Sequence, residues 1–140
     1  MINQTNIRRR FLAGLIDYSI IFYVNIYLIM FFGTPNGDGE YTVTGWKMLI
    51  PISFWFIMTV ALEQIAGATL GNGIVGLKPI HEDGSTQKIS IIQSFKRHVL
   101  DFIDMFFFGL IAYITITNTS KRQRLGDLWA KTMVVKYRRK

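Results

Sequence analysis

Arg10 and Asp17 stand seven residues apart, and Arg97 and Asp104 repeat that spacing. Seven residues make nearly two helical turns, so each pair falls on almost one helix face. The neighbours repeat as well: RFLAGLID at 10–17 resembles RHVLDFID at 97–104. The chemistry on offer is charge held at depth, one device used twice. An arginine sits near the lipid headgroups and an aspartate lies ~10 Å further along the axis. A carboxylate there is costly unless it meets a cation, hydrogen-bond donors or water. On one straight helix the two members of a pair are too far apart for easy contact. Cross-pairing is therefore expected, Asp17 with Arg97 and Asp104 with Arg10. Glu63 is expected near the same level, and Asn25 shares the Arg10–Asp17 face. Two roles fit Arg10, Asp17, Glu63, Arg97, Asp101 and Asp104. They form either a clamp that fixes helix register, the preferred reading, or an intramembrane ion or proton site.

Other chemistries find little support. The chain has no cysteine, which excludes disulfides, thiolate metal sites and thiol nucleophiles. Its two histidines, His81 and His98, are too few and too far apart in sequence for a zinc site. Ser53, Ser90 and Ser94 lie in no nucleophile motif, and Asp101 and Asp104 share a helix face without a recognisable cleft. No enzymatic activity, cofactor or metal is expected. Gly71 to Gly76 spells GxGxxG, but a dinucleotide site needs a strand before it and a helix after it. Here it follows an apolar helix, so a tight turn leaving the bilayer is expected. No Gly-Lys-Ser/Thr follows, so it is not a P-loop. The net charge of +7 suits anionic lipid headgroups better than nucleic acid, for which no binding motif is present.

The elements that must position these charges are apolar. Half of the 140 residues are hydrophobic and 18% are charged, where a soluble domain carries about a quarter. The charges cluster at the edges of long apolar stretches. A single all-α membrane domain over 1–140 is expected, with membrane segments at about 11–32, 48–66 and 99–117. Phe11 to Phe32 is long enough to cross a ~30 Å hydrocarbon core. Asp17 and a poor cleavage site argue against its being a signal peptide. Pro51 falls in the first turn or so of the second segment, where a missing N–H costs little. Gly33 to Gly45 reads as a turn-rich loop, and Gly67 to Gln87 as a glycine-rich one.

Lysine and arginine counts set orientation. Three arginines precede the first segment. The loop 33–47 has one lysine and two acids, the segment 67–98 has four basic residues and the tail 118–140 has eight. The N-terminus and the glycine-rich loop are therefore expected in the cytoplasm of a multi-pass cell-membrane protein. A third full span would put the basic tail outside. The preferred alternative makes residues 90–118 an interfacial helix plus a bent or re-entrant segment, with Gly109 as hinge. The tail, including Lys121, Arg122, Arg124 and the closing KYRRK, would then meet anionic headgroups. Two β-prone runs, Ile74 to Ile80 and Thr132 to Tyr137, would share one side and are expected to pair as a small two-stranded sheet.

RRFLAGLID, GATLGNGIVGLKPI and RQRLGDLWAKTMVV resemble, in order and spacing over residues 8–136, the RDD family of bacterial membrane proteins. The resemblance matches Arg10 to the family arginine, with Arg9 adjacent, and Asp17 to the first aspartate. Asp127 is the choice for the second aspartate and Asp104 a competitor. Glu63 also fits the pattern, whereas Asn72 stands where a basic residue is common. The family carries no agreed activity; transport, including cation/proton exchange, has been suggested. Two functions follow as expectations: a component for transport of ions or small solutes, and an accessory module assembling with other membrane proteins. Transport is the leaning, and three segments imply an oligomer or other membrane partners.

Overall fold

The computed structural model describes residues 6–137, without the side chain of Phe106; the last three residues of KYRRK lie outside it. Helix α1 spans Ile7–Phe32, so Arg8, Arg9 and Arg10 lie inside it rather than ahead of it. A short hairpin follows, β1 Thr34–Pro35 against β2 Tyr41–Thr42. Its turn is held by Asn36 Oδ1, which accepts from the backbone N–H groups of Asp38 and Glu40. Helix α2 spans Gly45–Ala66. It opens as a 3-10 turn and carries a π-helical turn at Ile57–Ala61. It stops at Gly67, whose φ of 79° is natural only for glycine. Both α1 and α2 are long and apolar enough to cross a membrane.

The glycine-rich loop folds into a short helix, α3 Leu70–Ile74, and a strand, β3 Leu77–His81. The expected strand start at Ile74 is corrected, because Thr69 caps a helical turn through Asn72 N–H and delays the strand by three residues. Helix α4, Ile91–Val99, begins at a capping box of Ser90 and Gln93. A short turn, α5 Asp101–Asp104, leads to α6, Phe106–Asn118. The axes of Ile91–Asp104 and Phe107–Asn118 differ by 119°. Phe107, Phe108 and Gly109 adopt left-handed backbone angles, so the hinge lies at and just before the glycine. The third membrane segment is thus a bent pair of helices and not a straight stretch over 99–117.

Helix α7, Leu125–Ala130, and strand β4, Thr132–Lys136, complete the chain. Strands β3 and β4 pair antiparallel, with Leu77 opposite Lys136 and His81 opposite Thr132. Leu77, Ile80, Ile89, Ala130, Met133 and Val134 are buried around this sheet. The sheet joins two segments more than fifty residues apart, so everything between them leaves one place and returns to it. The fold is therefore helical with two small sheets, rather than purely helical.

Candidate functional site

The start of α1, the end of α2, helix α4 and helix α7 converge on one buried charge cluster. Asp127, at the third position of α7, is fully buried. Arg97 Nε lies 3.0 Å from its Oδ1, and Arg97 Nη1 lies 3.3 Å from Glu63 Oε1. Glu63 also accepts from the Ser94 hydroxyl at 2.8 Å and faces His98 Nε2 at 3.3 Å. His98 Nδ1 lies 2.8 Å from Asp101 Oδ2. Arg124 Nη1 meets Asp101 Oδ1 at 2.8 Å, and its Nε lies 3.7 Å from Asp127 Oδ2. The result is a closed ring in which sign alternates: Asp127, Arg97, Glu63, His98, Asp101, Arg124 and back to Asp127. Both His98 nitrogens face carboxylate oxygens, an arrangement suited to the doubly protonated imidazole. Arg10 joins from α1, at 3.3 Å from Asp127 and 3.1 Å from the Val134 carbonyl. Tyr18 donates to Asp101 at 2.6 Å.

This geometry explains how so many ions stay out of water. A buried charge is tolerated when opposite charges and hydrogen bonds replace its hydration. Every ring member has an opposite charge on each side. Burial alone would push the Asp127 carboxyl up. Arg97, Arg124 and Arg10 together more than offset that and hold it below the ordinary carboxylate range.

Asp17 and Asp104 stand outside the ring and share a different task. Asp17 accepts from Thr69 Oγ1 at 2.6 Å and from Gly71 N–H at 2.7 Å, at the start of α3. Asp104 accepts from the N–H groups of Leu125 and Gly126 at 3.2 and 3.1 Å, at the start of α7. Each aspartate thus holds the N-terminus of a short helix that begins Leu-Gly. Between each short helix and its strand stands a residue of positive φ, Gly76 or Lys131. Leu70–Gly71 and Leu125–Gly126 are 55 residues apart, and so are the paired residues Pro79 and Val134. The same aspartate-held helix and following strand thus occur twice, 55 residues apart, and the two strands pair with each other.

A family model described as the RDD family matches residues 5–131. The chain belongs to the RDD family. No curated protein and no solved structure matches it. In this RDD chain Arg10, Glu63, Arg97, Asp101 and Asp127 come together. Asp127, not Asp104, is the aspartate tied to Arg10.

The expected cross-pairs are corrected. Neither Asp17–Arg97 nor Asp104–Arg10 is an ion pair. Backbone donors at helix starts satisfy the two aspartates, while the arginines turn to Glu63 and Asp127. The sequence reading also missed His98, Arg124, Ser94 and Tyr18 as members of the cluster. His98 directly follows Arg97, and Arg124 precedes LGD, so adjacency to the motif residues was the available signal. The GxGxxG stretch opens a helix, but the preceding element is α2, and Gly71 packs against the Ala13 carbonyl. Among the described residues no group of three or more His, Asp or Glu is arranged to hold a metal ion.

Asp17→Ala is expected to cost roughly 1–3 kcal/mol, the penalty for leaving a buried N–H and a hydroxyl unpaired. Loss of an ion-pair partner would cost more, about 3–5 kcal/mol. Thermal unfolding in detergent distinguishes the two values. A cost at the upper level would mean that Asp17 neutralises a cation.

Proposed function

We propose that this RDD protein is a non-transporting assembly module: its charge ring locks its own segments together, and its long helices pack against other membrane-embedded helices. One observation carries this reading. The ring, Asp17 and Asp104 gather around one end of the membrane helices, whereas α1 and α2 beyond that end are apolar and open. Only 11% of the most apolar 18-residue window of α1 is buried within the chain, and 17% of that of α2. A lone chain with its ions paired at one end offers no polar route across a bilayer. Transport would need that route to be completed by other chains. No enzymatic role is part of this reading. Ion flux tests it: vesicles holding on average one purified chain each should leak protons and sodium no faster than empty vesicles. Flux that scales with the number of single-chain vesicles would overturn the proposal.

The module is inserted with its N-terminus, the β3–β4 sheet and the tail together on the cytoplasmic side of the cell membrane. Arg9 donates to the Val75 carbonyl and Arg10 to that of Val134, which supports one location for all three. With that arrangement the basic segments fall on one side and the weakly charged 33–47 loop on the other, as positive-inside bias favours. Residues 91–118 then enter and return, and the 119° bend supports this path. Cysteines introduced at Ser85 and Ser120 should react with an impermeant thiol reagent from the same side only. Labelling from opposite sides would restore a three-span topology.

A further inference from the structure

A cavity of about 640 Å³ opens between α1, α5 and α6 beside the charge ring, within the size range of small-molecule sites. The assembly reading makes no use of it. Its charged lining is four arginines, Arg8, Arg10, Arg97 and Arg124, and His98, against two aspartates, Asp17 and Asp101. On two of these arginines three buried guanidinium nitrogens have no hydrogen-bond partner, Arg10 Nε, Arg97 Nη2 and Arg97 Nε, and only the last of them has a carboxylate beside it, Asp127 Oδ1 at 3.0 Å. The Arg97 side chain is 0% exposed and that of Arg10 is 7% exposed. Arg97 already commits Nε to Asp127 and Nη1 to Glu63, so Nη2 is the donor left over.

The rest of the lining is apolar and includes Met105, Leu110, Ala112 and Ile116. Phe11, Leu12 and Leu110 are about half exposed on the flanks of the opening, on helices that face lipid in this reading. A guanidinium donor beside an apolar wall suits an oxyanion carried on an acyl chain. A soluble anion would gain nothing from the wall, and a zwitterionic lipid, though it carries the same phosphate, would set its own cationic headgroup among the four arginines. We propose that this cavity binds one anionic phospholipid from the surrounding bilayer. Its phosphate meets Arg97 Nη2 and Arg10 Nε, and one acyl chain lies along α6.

The test uses the full chain in detergent, titrated with dioleoyl phosphatidylglycerol, dioleoyl phosphatidylcholine or inorganic phosphate, and read by native mass spectrometry. Phosphatidylglycerol should bind one per chain and at least tenfold tighter than either other probe. Arg97→Lys removes the donor but disturbs the ring, so Ala112→Phe is the decisive variant. It fills the cavity from α6 without touching an ion pair. It should weaken phosphatidylglycerol binding at least tenfold while leaving the lipid-free melting midpoint unchanged or higher. Equal affinity for the two lipids would mean a plain apolar groove, and equally tight phosphate binding a site for free anions. Either result, or unchanged binding by Ala112→Phe, would overturn the proposal.

Discussion

Asp127→Ala is expected to remove roughly 3–5 kcal/mol of stability, because three buried guanidiniums lose one shared counter-ion. Arg10, Arg97 and Arg124 all reach Asp127, and solvent has no access to the fully buried position it would leave. Against a total of about 5–15 kcal/mol for an ordinary domain, that is a large fraction. Asp127→Asn keeps the size and the acceptor for Arg124 N–H, yet should recover little, since charge is what the arginines require. The double variant Arg10→Met with Asp127→Asn should be more stable than Asp127→Asn alone. Arg97 then still meets Glu63 and Arg124 still meets Asp101, and the one arginine without another carboxylate is gone. A coupling of about 0.5–3 kcal/mol between the two sites is expected. Thermal melting in detergent gives the values; an unchanged midpoint for Asp127→Ala would mean that the ring contributes nothing to stability.

The same residue sets a direction in pH. The folded Asp127 carboxyl is held below its unfolded value. Its contribution is therefore complete above the ordinary carboxylate pKa of about 3.9 and fades as pH falls below it. The gap in melting midpoint between the native chain and Asp127→Asn should hold from neutral pH to about pH 5 and narrow in stronger acid. Asp127→Asn should start lower and show a shallower acid decline.

The second large effect is steric. Gly71→Ala would set a methyl group on the Ala13 carbonyl oxygen and 2.9 Å from Asp17 Oδ2. Gly126→Ala would set one on the backbone carbonyl of Arg97. In both cases the obstacle is helix backbone, which cannot rotate away. Overpacking of this kind costs about 1–3 kcal/mol, occasionally more. Both substitutions also push the short helices off the aspartates that hold them, so values at or above the top of that range are expected. Gly73→Ala is the control. Nothing lies within 4 Å of the point where its methyl group would stand, and its backbone is helical. It should be neutral or gain up to ~1 kcal/mol from helix propensity. If Gly71→Ala and Gly126→Ala melted like Gly73→Ala, α3 and α7 would not be seated on α1 and α4 as described.

Much of this protein was legible along the chain because the bilayer enforces a simple rule. Backbone polar groups in hydrocarbon must be satisfied within the segment, so Phe11 to Phe32 and Met48 to Ala66 had to be helices. The repeated Arg-x6-Asp spacing also marked the residues that matter, and the third stretch bends at Gly109 and the residues just before it, where a hinge was expected. The strand pairing was inferable for a related reason: two β-prone runs on one side satisfy their backbones by meeting. What the spacing did not contain was the pairing of charges. A seven-residue interval fixes a helix face but not which groups approach it from elsewhere. Asp17 and Asp104 met the N–H groups of short helices because glycines at 71 and 126 let those helices come within hydrogen-bonding distance. That freed Arg10 and Arg97 to converge on Asp127, more than a hundred residues from Arg10 in the chain. The π-helical turn at Ile57–Ala61 shifts the phase of α2 just before Glu63, and no sequence periodicity announced it. Membership of the ring is thus a property of close helix approach, which depends on three-dimensional contact rather than on any local pattern.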